Sequence, residues 1–348
     1  MKTIRSYLLG LFFIIFSSSV LAVRVPSLYS ADLLVSTQSA EERNQVAAAA
    51  MMQVLKKVTG SDPFANNPSL KEKLASASTL IDEFSYTPTN NASKPYLLNI
   101  TFRQKDVDQW LKDANLPIWG QDRPLIIAWV AWDAPKQSTD IISDDSPNAW
   151  SDALKQSAKE HGLRLLLPLM DAKDMQNADT RDITKLATAS LQTASARYAA
   201  NAILLGHIVE NSKELTTEWK FRLSDTEWNW QISGKTLQDV TLLLMDNIAH
   251  TLASRFSVVV SNAAPIDITL KVTNVVNEND FRPLTNYLYS LPSVDNVAIT
   301  EVNKMHEITF KVSIKSTPES FFQSLTFAKK LTPLPSSDPT MAVYQWHP

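Results

Sequence analysis

Leu125-Ile126-Ile127-Ala128-Trp129-Val130-Ala131-Trp132 is an unbroken apolar run that ends at Asp133. A run this short and this apolar predicts a strand buried on both faces, as in a parallel sheet covered by helices. Two similar runs follow, at residues 163–169 and 202–208. Between the first two lies a helical stripe of Trp150, Leu154 and Ala158 that stops at Gly162. Between the second and third, a helix around residues 182–198 carries Ile183, Leu186, Leu191 and Ala194. Strand, helix, strand, helix, strand implies right-handed crossovers and a mostly parallel core. The period then changes to two. Trp219, Phe221 and Leu223 alternate with polar residues, Ser224-Asp225-Thr226 can turn the chain, and Trp228, Trp230 and Ile232 alternate again. That pattern is a hairpin with one aromatic face. Thr236 and Asp239 then form a capping pattern ahead of a stripe of Leu237, Val240, Leu244, Ile248 and Leu252. Residues 120–260 thus predict an α/β module of βαβαβ-hairpin-α order.

The flanks predict two further small modules, so the chain as a whole is α+β / α/β. In residues 23–119, an extended start precedes a helix with Ser39 and Glu42 in capping-box spacing and a stripe of Val46, Ala50, Val54 and Val58, stopped by Gly60. Strands at 79–86 and 96–102 and a helix at 105–114 complete an α+β unit. Trp119-Gly120-Gln121-Asp122-Arg123-Pro124 reads as a junction, and residues 261–265 as a linker. In residues 261–348 the order is strand 266–275, helix 280–290, strands 294–302 and 307–314, helix 318–329 and strand 341–346. This βαββαβ order is the ferredoxin-like arrangement.

The first 22 residues predict a cleavable signal peptide. Lys2 and Arg5 precede the apolar run at 7–16 (YLLGLFFIIF), and Val20 and Ala22 are small residues placed for a cut between Ala22 and Val23. A membrane-spanning helix needs about 20 apolar residues, more than this run supplies. The expected address is the periplasm, with no transmembrane segment left after cleavage. The absence of cysteine excludes a lipoprotein anchor, disulfides and thiolate metal sites. A formal charge of -3 argues against broad nucleic-acid binding. Six glycines in 348 residues leave little room for phosphate-cradling loops. No P-loop, nucleophile elbow or HExxH helix occurs, so no catalytic residue, metal site or cofactor is nominated.

Four blocks carry a resemblance: residues 38–60 (QSAEERNQVAAAAMMQVLKKVTG), 116–133 (LPIWGQDRPLIIAWVAWD), 161–171 (HGLRLLLPLMD) and 196–208 (ARYAANAILLGHI). In order and spacing they resemble domain-of-unknown-function family 2066, a group of exported Gram-negative bacterial proteins. The likeness spans roughly residues 33–256 and departs from the family at Ser61, where a basic residue is usual. It implies the same export and module order, and it implies no activity. The order of residues 125–256 is also similar to periplasmic modules of outer-membrane assembly and cell-wall-synthase activator proteins, an analogy of fold alone.

Two sets of residues are candidate sites. Ligands of open α/β sheets bind beyond the carboxyl ends of the strands, where this chain places Asp133, Asp171 and His207. Carboxylates with a histidine suit acid/base work or a divalent cation; as loop residues they equally suit helix caps. Trp219, Trp228 and Trp230 form either a sugar-stacking platform or a core under the following helix. His161, just before a helix-stopping glycine, fits a cation near a helix C-terminus. Three functions follow: an accessory protein acting through contacts with envelope proteins, a periplasmic hydrolase or metal-dependent enzyme, and a glycan or cell-wall binder. The first needs no catalytic set and is the primary expectation. Partner and oligomeric state are open.

Overall fold

The computed structural model describes residues 28–64, 67–135, 138–146, 148–210, 214–303, 306–327, 330–336, 338 and 341–347. The leader and its cut between Ala22 and Val23 lie outside the described residues.

The chain begins with β1 (Ser30–Val35) and α1 (Ala40–Thr59). Ser39 Oγ accepts the Glu42 N–H at 3.1 Å, and the Glu42 carboxylate reaches back to the Ser36 and Thr37 N–H groups at 2.8 and 2.7 Å. These bonds satisfy amides that a helix start leaves orphaned. Then come α2 (Pro68–Lys73), a 3-10 turn (Leu74–Leu80), β2 (Ile81–Pro88), β3 (Tyr96–Phe102) and α3 (Gln104–Asp113). The strands form an antiparallel sheet in the order β1-β3-β2. Ala47, Ala50, Met51, Val54, Leu55 and Val58 of α1 pack on Leu98, Ile100 and Phe102 of β3.

The middle of the chain supplies β4 (Pro117–Ile118), β5 (Leu125–Asp133), β6 (Asp140–Ile142), α4 (Ala149–Glu160), β7 (Arg164–Leu166), α5 (Ala172–Asn177), α6 (Thr180–Thr184), α7 (Thr188–Ala196), β8 (Ala202–Glu210), β9 (Leu215–Leu223), β10 (Thr226–Gly234), α8 (Leu237–Phe256) and β11 (Val258–Val259). β4 and β11 pair with each other. The other strands make a six-stranded sheet in the order β10-β9-β8-β5-β6, with β7 also beside β5. β5 runs parallel to β8 and β7; its pairing with β6 and the pairings among β8, β9 and β10 are antiparallel. The strand expected over residues 163–169 is only three residues long. Pro168 cannot donate to a ladder, and β6 occupies the edge of β5 from Val130 onward. The helix expected over residues 182–198 is two helices, α6 and α7, because Leu186 between them takes a left-handed φ of 51°.

Alternate residues of β5 serve different layers. Ile126, Ala128 and Val130 pack toward α4 and α8. Ile127, Trp129 and Ala131 pack toward α6 and α7. The second layer covers β8 and touches β10 near its start, where Thr188 of α7 donates to the Glu227 carboxylate at 2.5 Å; further along, β9 and β10 present Glu218, Asn229 and Gln231 to solvent.

The last part contains β12 (Ile266–Thr273), α9 (Glu278–Ser290), β13 (Val294–Asn303), β14 (Glu307–Ile314), α10 (Pro318–Phe327), β15 (Leu331–Leu334) and β16 (Met341–Trp346), with sheet order β13-β14-β12-β16-β15. The order is therefore βαββαββ, one strand more than the expected βαββαβ. β15 carries Pro333 and reads as loop in the sequence, yet a proline is allowed on an edge strand. The extra strand reverses the chain, so β16 lies parallel to β12.

Candidate functional site

Asp133 ends β5, and His207 lies two residues before its register partner Val209 on β8. Both side chains therefore leave the same face of the sheet, and they meet: His207 Nε2 is 2.8 Å from Asp133 Oδ2. Thr139 Oγ1 donates to the other carboxylate oxygen at 2.6 Å. The Thr139 hydroxyl, followed by His207, holds the Asp133 carboxyl below the usual carboxylate range, against a smaller opposing effect of burial. Glu218 of β9 is the cross-strand partner of His207. A carboxylate-oriented imidazole is the base half of a hydrolytic dyad, but here the nearby hydroxyl points at the carboxylate rather than at the ring.

Asp171 does not join this pair. It caps α5 by accepting the Lys173 and Asp174 N–H groups at 3.0 and 3.1 Å, and its Oδ2 takes Arg197 Nη2 at 2.8 Å. The Arg197 hydrogen bond and the Asp174 amide hold its carboxyl far below the ordinary range. Arg197 also bonds the fully buried Asp174 at 3.0 Å, and Asp174 accepts the Tyr198 hydroxyl. Among the described residues, no three of His, Asp and Glu are grouped so as to hold a metal ion. The strand-end trio is one pair plus one helix cap.

The three tryptophans of the hairpin share a face. Trp219 is fully buried, its Nε1 donating to Thr217 Oγ1 at 2.7 Å. Its ring fills the space over Gly206, where an added Cβ would lie 2.2 Å from the ring. Trp228 and Trp230 are half-buried, with centroids 5.7 and 6.2 Å from the Phe221 ring between them, and Arg255 lies 5.9 Å over Trp228. The face is the rim of the core beneath α8.

The most elaborate polar arrangement went unnoticed in the sequence. Arg123 is 2% exposed and has no carboxylate partner among the described residues. Its guanidinium donates to the carbonyls of Gly120 (3.2 Å), His161 (3.2 Å), Gly162 (3.2 Å), Lys57 (2.7 Å) and Trp119 (3.1 Å), and it stacks 3.8 Å over the Trp119 ring. Burial disfavours its charge. Five carbonyl dipoles, three of them at the C-terminal ends of α1 and α4, offset that cost. Arg123 thus ties the two helix ends to the junction. Gly60, in a left-handed φ of 70°, allows the close approach, since a Cβ there would sit 2.3 Å from Ala253 of α8. Beside it, Asp246 of α8 bridges Lys56 of α1 at 2.7 Å and the buried His161 Nε2 at 2.8 Å, while His161 Nδ1 meets Ser157 O at 2.7 Å. Burial works against the Asp246 charge, but the His161 and Lys56 contacts outweigh it and bring the carboxyl down to about 2. Lys159 of α4 adds a bond to Asp32 of β1 at 2.6 Å. Burial pushes Lys57, which donates to Ser30 O at 2.9 Å, down to about 8, with Asp32 opposing.

The exposed strand edges differ. β13 and β2 both carry register shifts, and β2 ends at Pro88. β10 has neither device. Its nine residues pair one for one with β9, from Thr226 opposite Leu223 to Gly234 opposite Leu215. Its outer edge pairs with no strand among the described residues, and the segment TEWNWQISG carries no proline and a single charge, Glu227.

Comparison with known proteins reaches the first part of the chain. A family described as a domain of unknown function (DUF8605) matches residues 22–120, which contain the first sheet, its helices and the start of the junction. No curated protein and no solved structure matches the chain.

Proposed function

We propose that the chain is an exported accessory protein of a Gram-negative cell envelope that works by binding another protein along the edge of β10. One observation carries the reading. Natural proteins blunt their sheet edges with bulges, prolines and charges, and this chain does so at β13, β2 and β15 but leaves the long, regular edge of β10 bare. An extended segment of a partner can add a strand there, main-chain bonds giving affinity and side-chain contacts giving selection. Half-buried Trp228 and Trp230 flank that edge on one face, and such aromatics suit interface anchors.

The address rests on the leader of residues 1–22 and on the likeness to family 2066. No helix among the described residues is long and apolar enough to cross a membrane. We divide the chain at 23–119, 120–260 and 261–348 after its three larger sheets, with the β4–β11 pair joining the first two units. The Arg123 tie supports treating the first two units as one rigid carrier for the β10 edge.

A photo-crosslinking residue in place of Gln231, in living cells, tests this. The expected result is one discrete adduct that is absent when the same residue replaces Glu301 on β13. No adduct at 231, or the same adduct at 301, refutes strand addition at β10.

A further inference from the structure

Between α7, the start of β8 and the β9–β10 turn lies a cavity of about 300 Å³. That is the lower end of the roughly 300–1,000 Å³ typical of small-molecule sites. Its lining brings together groups of four kinds. Arg222 anchors its Nε on Ser224 O at 2.9 Å, which fixes the plane of the guanidinium. Its two Nη groups have no carboxylate partner among the described residues, whereas Arg103, Arg181, Arg197 and Arg282 each hold one. Asn201 uses its side-chain oxygen to accept the Leu125 N–H at 2.8 Å, and its NH₂ has no acceptor among the described residues. Asp225, in the turn, forms no ion pair among the described residues. Ala196, Ala200 and Ile203 supply an apolar wall.

We propose that this cavity binds a small zwitterion of amino-acid type. The Arg222 fork matches a carboxylate through two parallel N–H···O bonds, and the Asn201 amide is a further donor for it. The Asp225 carboxylate accepts from an ammonium group, and the apolar wall takes an aliphatic side chain. The selectivity follows from the opposed charges. A plain carboxylate leaves Asp225 unmatched and repelling, and a plain amine leaves Arg222 unmatched, so each half-ligand forfeits one ion pair and meets one like charge. This site is independent of a partner strand on β10.

Isothermal titration calorimetry on the purified protein, with L-alanine and L-leucine as probes and acetate and methylamine as half-ligands, tests the assignment. The amino acids bind in the millimolar range or tighter. Acetate and methylamine bind at least about tenfold more weakly. Arg222→Gln and Asp225→Asn each weaken the amino acids by about tenfold or more. Arg222 is partly exposed and Asp225 exposed, both outside the core clusters, and unchanged urea midpoints establish that the variants are folded. Three results overturn the proposal: no heat from either amino acid at millimolar concentration, acetate binding as tightly as alanine, or full affinity in both variants.

Discussion

Arg123→Met isolates the value of the tie at the junction. Methionine keeps an unbranched apolar stem over Trp119 and removes every donor. Five carbonyls then lose their partner. A buried polar group left unpaired costs about 1–3 kcal/mol, so the low end of that range sums to about 5 kcal/mol. Relief of the buried charge, together with water reaching some of the freed carbonyls, returns about 2 kcal/mol of this. The net expectation is a loss of about 3 kcal/mol, within the range seen when a buried polar network is broken. Urea unfolding followed by tryptophan fluorescence reads it directly, because Trp119, Trp129 and Trp150 are all fully buried. Arg123→Lys should lose roughly half as much, since one ammonium cannot reach the carbonyls of both helix ends and the junction at once. A loss below about 1 kcal/mol in Arg123→Met, an ordinary value for any substitution, would show that water satisfies these carbonyls and that the guanidinium fastens nothing.

Asp246 gives a pH dependence of known sign. Its carboxyl is held at about 2 in the folded protein against an ordinary 3.8, so its contribution is complete above about pH 4 and drains as the pH falls through 2. With the side chain 41% exposed, solvent screening leaves about 1 kcal/mol; urea midpoints between those pH values should fall less steeply in Asp246→Asn, and identical slopes refute the bridge. Gly206→Ala drives a Cβ to 2.2 Å from the Trp219 ring, so we expect a loss of about 1–3 kcal/mol from overpacking and an altered near-ultraviolet circular dichroism, neither of which appears if the ring has room to move. N-terminal sequencing of the cell-associated protein should begin at Val23, and an intact Met1 would remove the export premise.

The element order was largely legible because it rests on periodicity. The run from Leu125 to Trp132 is buried on both faces as its composition requires, and the alternation of Trp219, Phe221 and Leu223 became one strand of a hairpin. The errors lie where one residue overrides a pattern. Pro168 cut short an apolar strand, a left-handed Leu186 split a helix, and Pro333 hid an edge strand. Left-handed residues are hard to foresee in this chain. It has so few glycines that seven of the nine described positions with positive φ are occupied by other residues; Asn115, Asn274 and His306 are of types enriched there, but Met170, Leu186 and Ala199 are not.

The strand-end rule explains why the polar candidates were half legible. It places functional side chains correctly only where neighbouring strands are long and end together. β5 and β8 meet that condition, and Asp133 and His207 form a 2.8 Å pair. β7 stops after Leu166, so by Asp171 the chain has already left the sheet and is starting a helix, and the carboxylate serves the α5 amides and Arg197 instead. Arg123 was illegible for a different reason. Its partners are main-chain oxygens, which every residue carries, so no pattern of side chains could point to it. The available signal was indirect: Gly60 and Gly162 mark two helix ends, and an arginine sits in the junction between apolar segments with no acidic residue able to follow it into the interior. A cation buried there is satisfied by main-chain carbonyls, here those of two helix ends and of the junction itself, and that reasoning turns two helix stops and one arginine into a predicted fastening.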